Sequence, residues 1–170
     1  IFSQPSANLN QEQGQDFHLG NALFRKLWVS APSSTQASDG LGPLFNARSC
    51  QSCHIRDGRG HPLETAGAAA TSMVLRLART AITPDEEQAV RDSHALNFPD
   101  STYGAQLQDL AVPGLAAEGK VTVRYSEEVV TLAGGETVTL RKPTYGISDL
   151  AYGPMDANTT LSARMAPPMV

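Results

Sequence analysis

The chain has 170 residues, the size of one domain, with 41% apolar and only 6% aromatic side chains. Its 13 Lys and Arg against 17 Asp and Glu leave a net charge of −4 with no basic cluster. That balance argues against a nucleic-acid binder, and no apolar run approaches the ~20 residues of a membrane span. The first residue is Ile1 and no signal peptide heads the sequence, so it reads as a mature or trimmed product.

Residues 1–12 are rich in Gln, Asn and Ser and read as a flexible lead-in. Residues 13–29 carry Phe17, Leu23, Phe24, Leu27 and Trp28 at helical spacing, which predicts a core helix. Gly20, four residues before Phe24, would let a second helix cross closely. His18 lies off that stripe and reads as a surface histidine. Residues 30–43, with Ser, Pro, Thr, Gly and Asp, form a loop leading into Leu44-Phe45-Asn46-Ala47-Arg48.

Next comes Cys50-Gln51-Ser52-Cys53-His54, a C-x-x-C-H run containing both cysteines of the chain. This is the attachment pattern of c-type haem. Two thiols spaced this way can add across the two vinyl groups of one porphyrin, and the following imidazole can then reach the iron from one face. Three other readings compete. A disulfide across two intervening residues staples almost nothing. Zinc on Cys50, Cys53 and His54 or His61 would lack the usual second ligand pair. A thioredoxin-like redox pair would need a βαβ setting that is absent here. Covalent haem is therefore the expected cofactor, with His54 as its iron ligand. Because bacteria attach such haems outside the cytoplasmic membrane, the expected location is periplasmic or exported. Arg48, Arg56 and Arg59 flank the motif and could pair with haem propionates, since a guanidinium bonds a carboxylate bidentately. His61, seven residues after His54, is too near to reach easily around the ring edge.

Residues 64–71 are Ala- and Gly-rich and uninformative. Met73, Leu75 and Leu77 alternate with Val74, Arg76 and Ala78, suggesting a short strand. Thr83-Pro84-Asp85-Glu86 is a capping box with proline at the first helical position, so a helix is expected to about His94. A histidine near a helix end has a sufficient structural reason to be there. Residues 97–118 read as loop with partial helix. Apolar alternation on both sides of Gly134-Gly135 predicts a β-hairpin over about 119–142. Residues 143–163 return to loop-like composition before a Pro-Met segment ends the chain. A His–Met pair would make a six-coordinate electron carrier, whereas His alone leaves an open iron face. Among Met73, Met155, Met165 and Met169, the prolines before Met169 make it the first choice for sixth ligand and Met165 the second.

The segments Leu19-Gly20-Asn21-Ala22-Leu23-Phe24, Trp28-Val29 and Asp39-Gly40-Leu41-Gly42-Pro43-Leu44-Phe45-Asn46-Ala47-Arg48-Ser49-Cys50 resemble the bacterial di-haem oxidoreductases, grouped as thiol oxidoreductases or peroxidases. Tyr103-Gly104-Ala105-Gln106-Leu107-Gln108-Asp109, Leu140-Arg141-Lys142-Pro143 and Ser162 to Met169 extend the resemblance. A weaker likeness runs to the bacterial cytochrome c peroxidase and MauG group. Members of the resembled family carry a second C-x-x-C-H, whereas this chain has one. The resemblance therefore implies an N-terminal haem domain, whose partner is a second haem domain or another redox protein. The expected fold is mainly α: a cytochrome-c-like haem domain over 13–170 with a β-insertion at 119–142. The expected function is electron transfer at one covalent haem. The alternatives are peroxidase-type chemistry at a five-coordinate haem, or a haem-free metal or interaction module.

Overall fold

The computed structural model describes residues 3–65, 68 and 70–169. The first two positions of the lead-in, Ala66, Gly67 and Ala69 of the Ala- and Gly-rich run, and Val170 lie outside the described residues. In chain order come α1 (Gln11–Arg25), β1 (Val29–Ser30), β2 (Asp39–Leu41), β3 (Leu44–Phe45) and α2 (Cys50–Cys53). There follow β4 (Met73–Ala78), α3 (Pro84–Arg91), β5 (Leu110–Ala111), β6 (Lys120–Thr131), β7 (Thr137–Ser148) and β8 (Thr160–Met165).

The expectation of a mainly α fold is overturned: the described residues are 20% helix and 30% strand. The reason lies in segments whose Gly, Pro, Asn and Ser content reads as loop. In β8, Leu161, Ala163 and Met165 alternate with polar neighbours, and the strand pairs antiparallel with β4 from Met73–Met165 to Ala78–Thr160. β7 runs on through Pro143 to Ser148, so the β6–β7 hairpin is longer than its sequence signature. Pairing with strands distant in sequence overrides local composition.

β4 organises the core because its alternation is strict. Met73, Leu75 and Leu77 are buried, while Arg76 between them is exposed. Its second edge takes the 105–107 segment: Leu77 N donates to Ala105 O (3.0 Å) and Leu107 N to Leu75 O (3.0 Å). Leu107 then lies fully buried beside Leu75, and Val121 and Val123 at the base of the hairpin cover them with Tyr103. The hairpin is thus a wall of the core, not an insertion into a helical domain. At the far end of β4, Arg79 is held between Glu86 of α3 (2.8 Å) and Asp156 (3.1 Å). Burial works to raise the Asp100 pKa, but hydrogen bonds from Thr159, Tyr103, Asp156 and Thr102 outweigh it and hold the carboxyl below its usual range. Asp100 thereby ties the 100–104 loop to the 156–159 loop.

The helix α1 differs from the expected core helix. Asn10 and Gln13 cap it reciprocally: the Asn10 side chain accepts from Gln13 N (2.9 Å), and the Gln13 side chain accepts from Asn10 N (3.0 Å). It ends at Arg25, and none of its residues is buried. Nothing lies within 4 Å of where a Gly20 Cβ would stand, so no second helix crosses there.

Candidate haem-attachment site

Ser49 is buried and caps α2, its Oγ accepting from Ser52 N at 3.1 Å. That cap fixes a single helical turn in which Cys50 and Cys53 stand three residues apart on one side. Both thiols are free. His54 N donates to Cys50 O (3.0 Å), and the chain then leaves helical geometry. The imidazole follows the two thiols directly. Its Nδ1 lies 2.7 Å from Pro167 O. A carbonyl oxygen can only accept, so Nδ1 carries the proton and Nε2 keeps its lone pair. The ring tautomer is therefore set for metal ligation through Nε2, by a backbone group from the far end of the chain.

The turn after His54 is strained. Arg56 and Asp57 both have positive φ, 57° and 58°, a region costly for residues other than glycine. Several contacts hold it there. Asp57 N donates to His54 O (2.9 Å), Met169 N donates to Asp57 O (2.9 Å), and the Ser3 hydroxyl donates to the Asp57 carboxylate. Gly60 passes so close to β4 that a Cβ would lie 2.3 Å from Ser72 O. Both ends of the described chain thus meet at the motif.

A cavity of about 260 Å³ beside His54 is lined by Cys53, Met73, Val74, Met165 and Pro167 among others. Phe24 of α1 stands with its ring centroid 6.0 Å from that of His54. In the segments next to Phe24 and His54 in the chain, Leu23, Leu27, Trp28 and Ile55 are exposed, at 57%, 56%, 39% and 46%. Two thiols on one turn, an imidazole with a bare Nε2 and a margin of uncovered apolar side chains fit a flat apolar cofactor carrying two vinyl groups and an iron. The residues present therefore fit haem c.

A family model described as "di-haem oxidoreductase, putative peroxidase" matches residues 1–166. The chain belongs to this family. No curated protein and no solved structure gives a match. The di-haem oxidoreductase family makes the chain an oxidoreductase relative and brings haem with it; this chain itself holds one C-x-x-C-H.

The other candidate residues are placed as follows. Arg48 is engaged with Trp28: its Nε donates to Trp28 O (3.1 Å) and Trp28 N donates to Arg48 O (2.8 Å). Arg56 and Arg59 are exposed on the strained turn. His61 is bonded through its amide to Ser72 Oγ (2.8 Å) and lines a separate cavity of about 320 Å³. Met73 is buried in the core, Met165 sits opposite it across β4 and β8, and Met155 packs at the core margin. Met169 is 43% exposed. Among the described residues, no group of three or more His, Cys, Asp or Glu side chains is placed to hold a metal ion, and no helix is long and apolar enough to cross a membrane.

Sequence reasoning missed three participants. The Pro167 carbonyl is a backbone group without a sequence signature, although the Pro-Pro pair before Met169 marked the segment. Asn46 and Asp109 come together because β3 pairs with β5, which places residue 46 next to residue 109 at the end of the ladder. Asn46 Nδ2 donates to Asp109 Oδ1 (2.8 Å) and to Leu107 O (2.8 Å). Burial pushes the Asp109 carboxyl up, against the Asn46 hydrogen bond. Burial also pushes the Cys53 thiol up, with the charges of Asp109 and Cys50 adding to it.

Proposed function

We propose that the chain is a c-type haem unit of the di-haem oxidoreductase family that moves single electrons outside the cytoplasmic membrane. Cys50 and Cys53 hold the haem and His54 ligates its iron. The observation that carries this reading is the 2.7 Å bond from His54 Nδ1 to Pro167 O in a chain whose two thiols stand one turn away. When bound, haem supplies a one-electron couple. The chain's own part is to orient the imidazole, raise its basicity through the Pro167 carbonyl, and cover the ring edge with Phe24 and its neighbours. Arg56 and Arg59, exposed beside the motif, are the propionate partners in this reading. Arg48 is committed to Trp28 and contributes less. The electron partner is a second haem domain or a separate redox protein.

Intact mass after export with haem-maturation machinery should exceed the polypeptide by one haem, with a pyridine haemochrome spectrum of the c type. A bare-chain mass from that host overturns the reading.

Met169 is the candidate for the sixth ligand, and its position favours a second reading. Its amide is bonded to Asp57 O, and Pro167 two residues earlier sits on the Nδ1 side of His54. The Pro167 tie lies on the Nδ1 side of the imidazole, away from Nε2, and Met169 follows it by only two residues. This supports an iron with one open face and hence peroxidase-type chemistry. Absorption of the ferric protein separates the readings. A near-red Met–iron band lost in Met169→Ala marks electron transfer alone. A high-spin spectrum with peroxide turnover far above free haem marks the enzyme.

A further inference from the structure

We propose that Asp109 is the proton-exchanging group of this site, taking up one proton from solvent when the site takes one electron from a donor protein. The inference rests on the haem reading above and adds a named acid to it.

A hydrogen-bond chain runs from the surface to this carboxylate. Arg76 Nη1 donates to Gln106 Oε1 (3.3 Å), Gln106 Nε2 donates to Asn46 Oδ1 (2.7 Å), and Asn46 Nδ2 donates to Asp109 Oδ1 (2.8 Å). Chemistry fixes the direction. A guanidinium only donates, so the Gln106 oxygen accepts and its amide nitrogen faces Asn46. Asn46 is oriented in turn, with its nitrogen toward the carboxylate. Each dipole therefore points its positive end at Asp109, which favours the charged form. The backbone builds this chain. Residue 106 bridges to Arg76 along the free edge of β4, and the β3–β5 ladder sets Asn46 beside Asp109.

Burial opposes the charge and holds the carboxyl above its ordinary range, while the Asn46 hydrogen bond at the end of the amide chain supports the charge. Its field reaches Cys53, whose thiol it helps to raise. Among the described residues, the titratable and charged groups that meet it are Cys53 of α2, which Cys50 also acts on, and, at the far end of the amide chain, Arg76 of β4. A carboxylate that disfavours negative charge at Cys53 equally favours positive charge there. It stabilises the ferric over the ferrous state, because the ferric iron carries one more positive charge. Reduction then raises the proton affinity of Asp109. The balance is one electron from the donor and one proton from water, ending as a ferrous site and a neutral carboxyl.

The test is the reduction potential of the haem-loaded chain against pH. The wild-type potential should fall as pH rises through the Asp109 window. The ceiling is a tenfold change in equilibrium per pH unit, ~59 mV for one electron. Asp109→Asn should be flat there and sit at the wild type's low-pH value. Gln106→Leu, which cuts the amide chain, should move the window to higher pH. An unchanged slope in Asp109→Asn overturns the proposal. If the exported chain carries no haem, the proposed function fails by itself and the coupling is read at the thiol. In a Cys50→Ser background, Asp109→Asn should speed alkylation of Cys53 by iodoacetamide at fixed pH, and an equal rate overturns the proposal there too.

Discussion

Residues 3–61 and residues 63–165 solve the same problem in different ways. Among the described residues, every buried apolar side chain lies between Leu63 and Val123, on or against β4 and the hairpin base. The motif half contributes none: its helix α1 leaves Leu19 and Leu23 at 64% and 57% exposure, and Leu27 just beyond the helix stands at 56%. One region closes on its own side chains. The other leaves apolar side chains exposed in the segments that carry Phe24, Cys50, Cys53 and His54, which a porphyrin bound there would cover. Two apolar patterns of equal clarity, one helical and one alternating, thus have opposite fates.

The largest test of this contrast is a core truncation. Leu75→Ala or Leu107→Ala should cost about 2–5 kcal/mol in urea unfolding, since both side chains are fully buried. Leu23→Ala in the haem-free chain should stay within about 0.5 kcal/mol. Equal costs would erase the distinction.

Acid should act on the β half first through Glu86. Hydrogen bonds from Arg79 and then from Ile82 N hold its pKa at about 2, below the ordinary 4.5. A depressed carboxyl stabilises the fold fully above its unfolded pKa, and that contribution is lost as pH falls through the folded value. Melting temperature should therefore drop between pH 4.5 and about 2, with a shallower drop in Glu86→Gln. Identical acid profiles for the two proteins would show that Arg79 does not rely on this partner.

A smaller effect sharpens the motif side. With haem attached, Leu23→Ala should lower stability by roughly 1 kcal/mol, the scale of partial apolar burial, whereas without haem it is neutral. A cost independent of haem would place Leu23 outside the covered surface. Smallest is Arg56→Gly. Glycine accepts φ 57° without strain, so the relieved left-handed strain less glycine's greater unfolded-state entropy should give a gain of about 0.5–1 kcal/mol in thermal unfolding, and a loss would mean that the Arg56 side chain holds the turn.

What was legible in the sequence followed the range of the interaction. The C-x-x-C-H run stands out in the sequence because it is a pattern of five consecutive residues. The Thr83 cap and the Gly134-Gly135 hairpin turn are local in the same way. The fold class was not legible, because β4 finds its partner β8 more than eighty residues away and β8 lies in a stretch rich in turn formers. The stripe on α1 showed the right period, but period alone cannot say whether a side chain or a cofactor covers it. The Pro167 carbonyl and the pairing of Asn46 with Asp109 depend on tertiary approach and leave no mark in composition.

The central claim, that the motif half is completed by what binds at Cys50, Cys53 and His54, is tested most directly by hydrogen exchange. Amide protection is compared between the haem-loaded chain and a Cys50→Ser/Cys53→Ser chain. The account predicts that α1 and residues 49–57 lose protection without haem while β4 and β8 keep theirs. Equal protection of α1 in both proteins would contradict it.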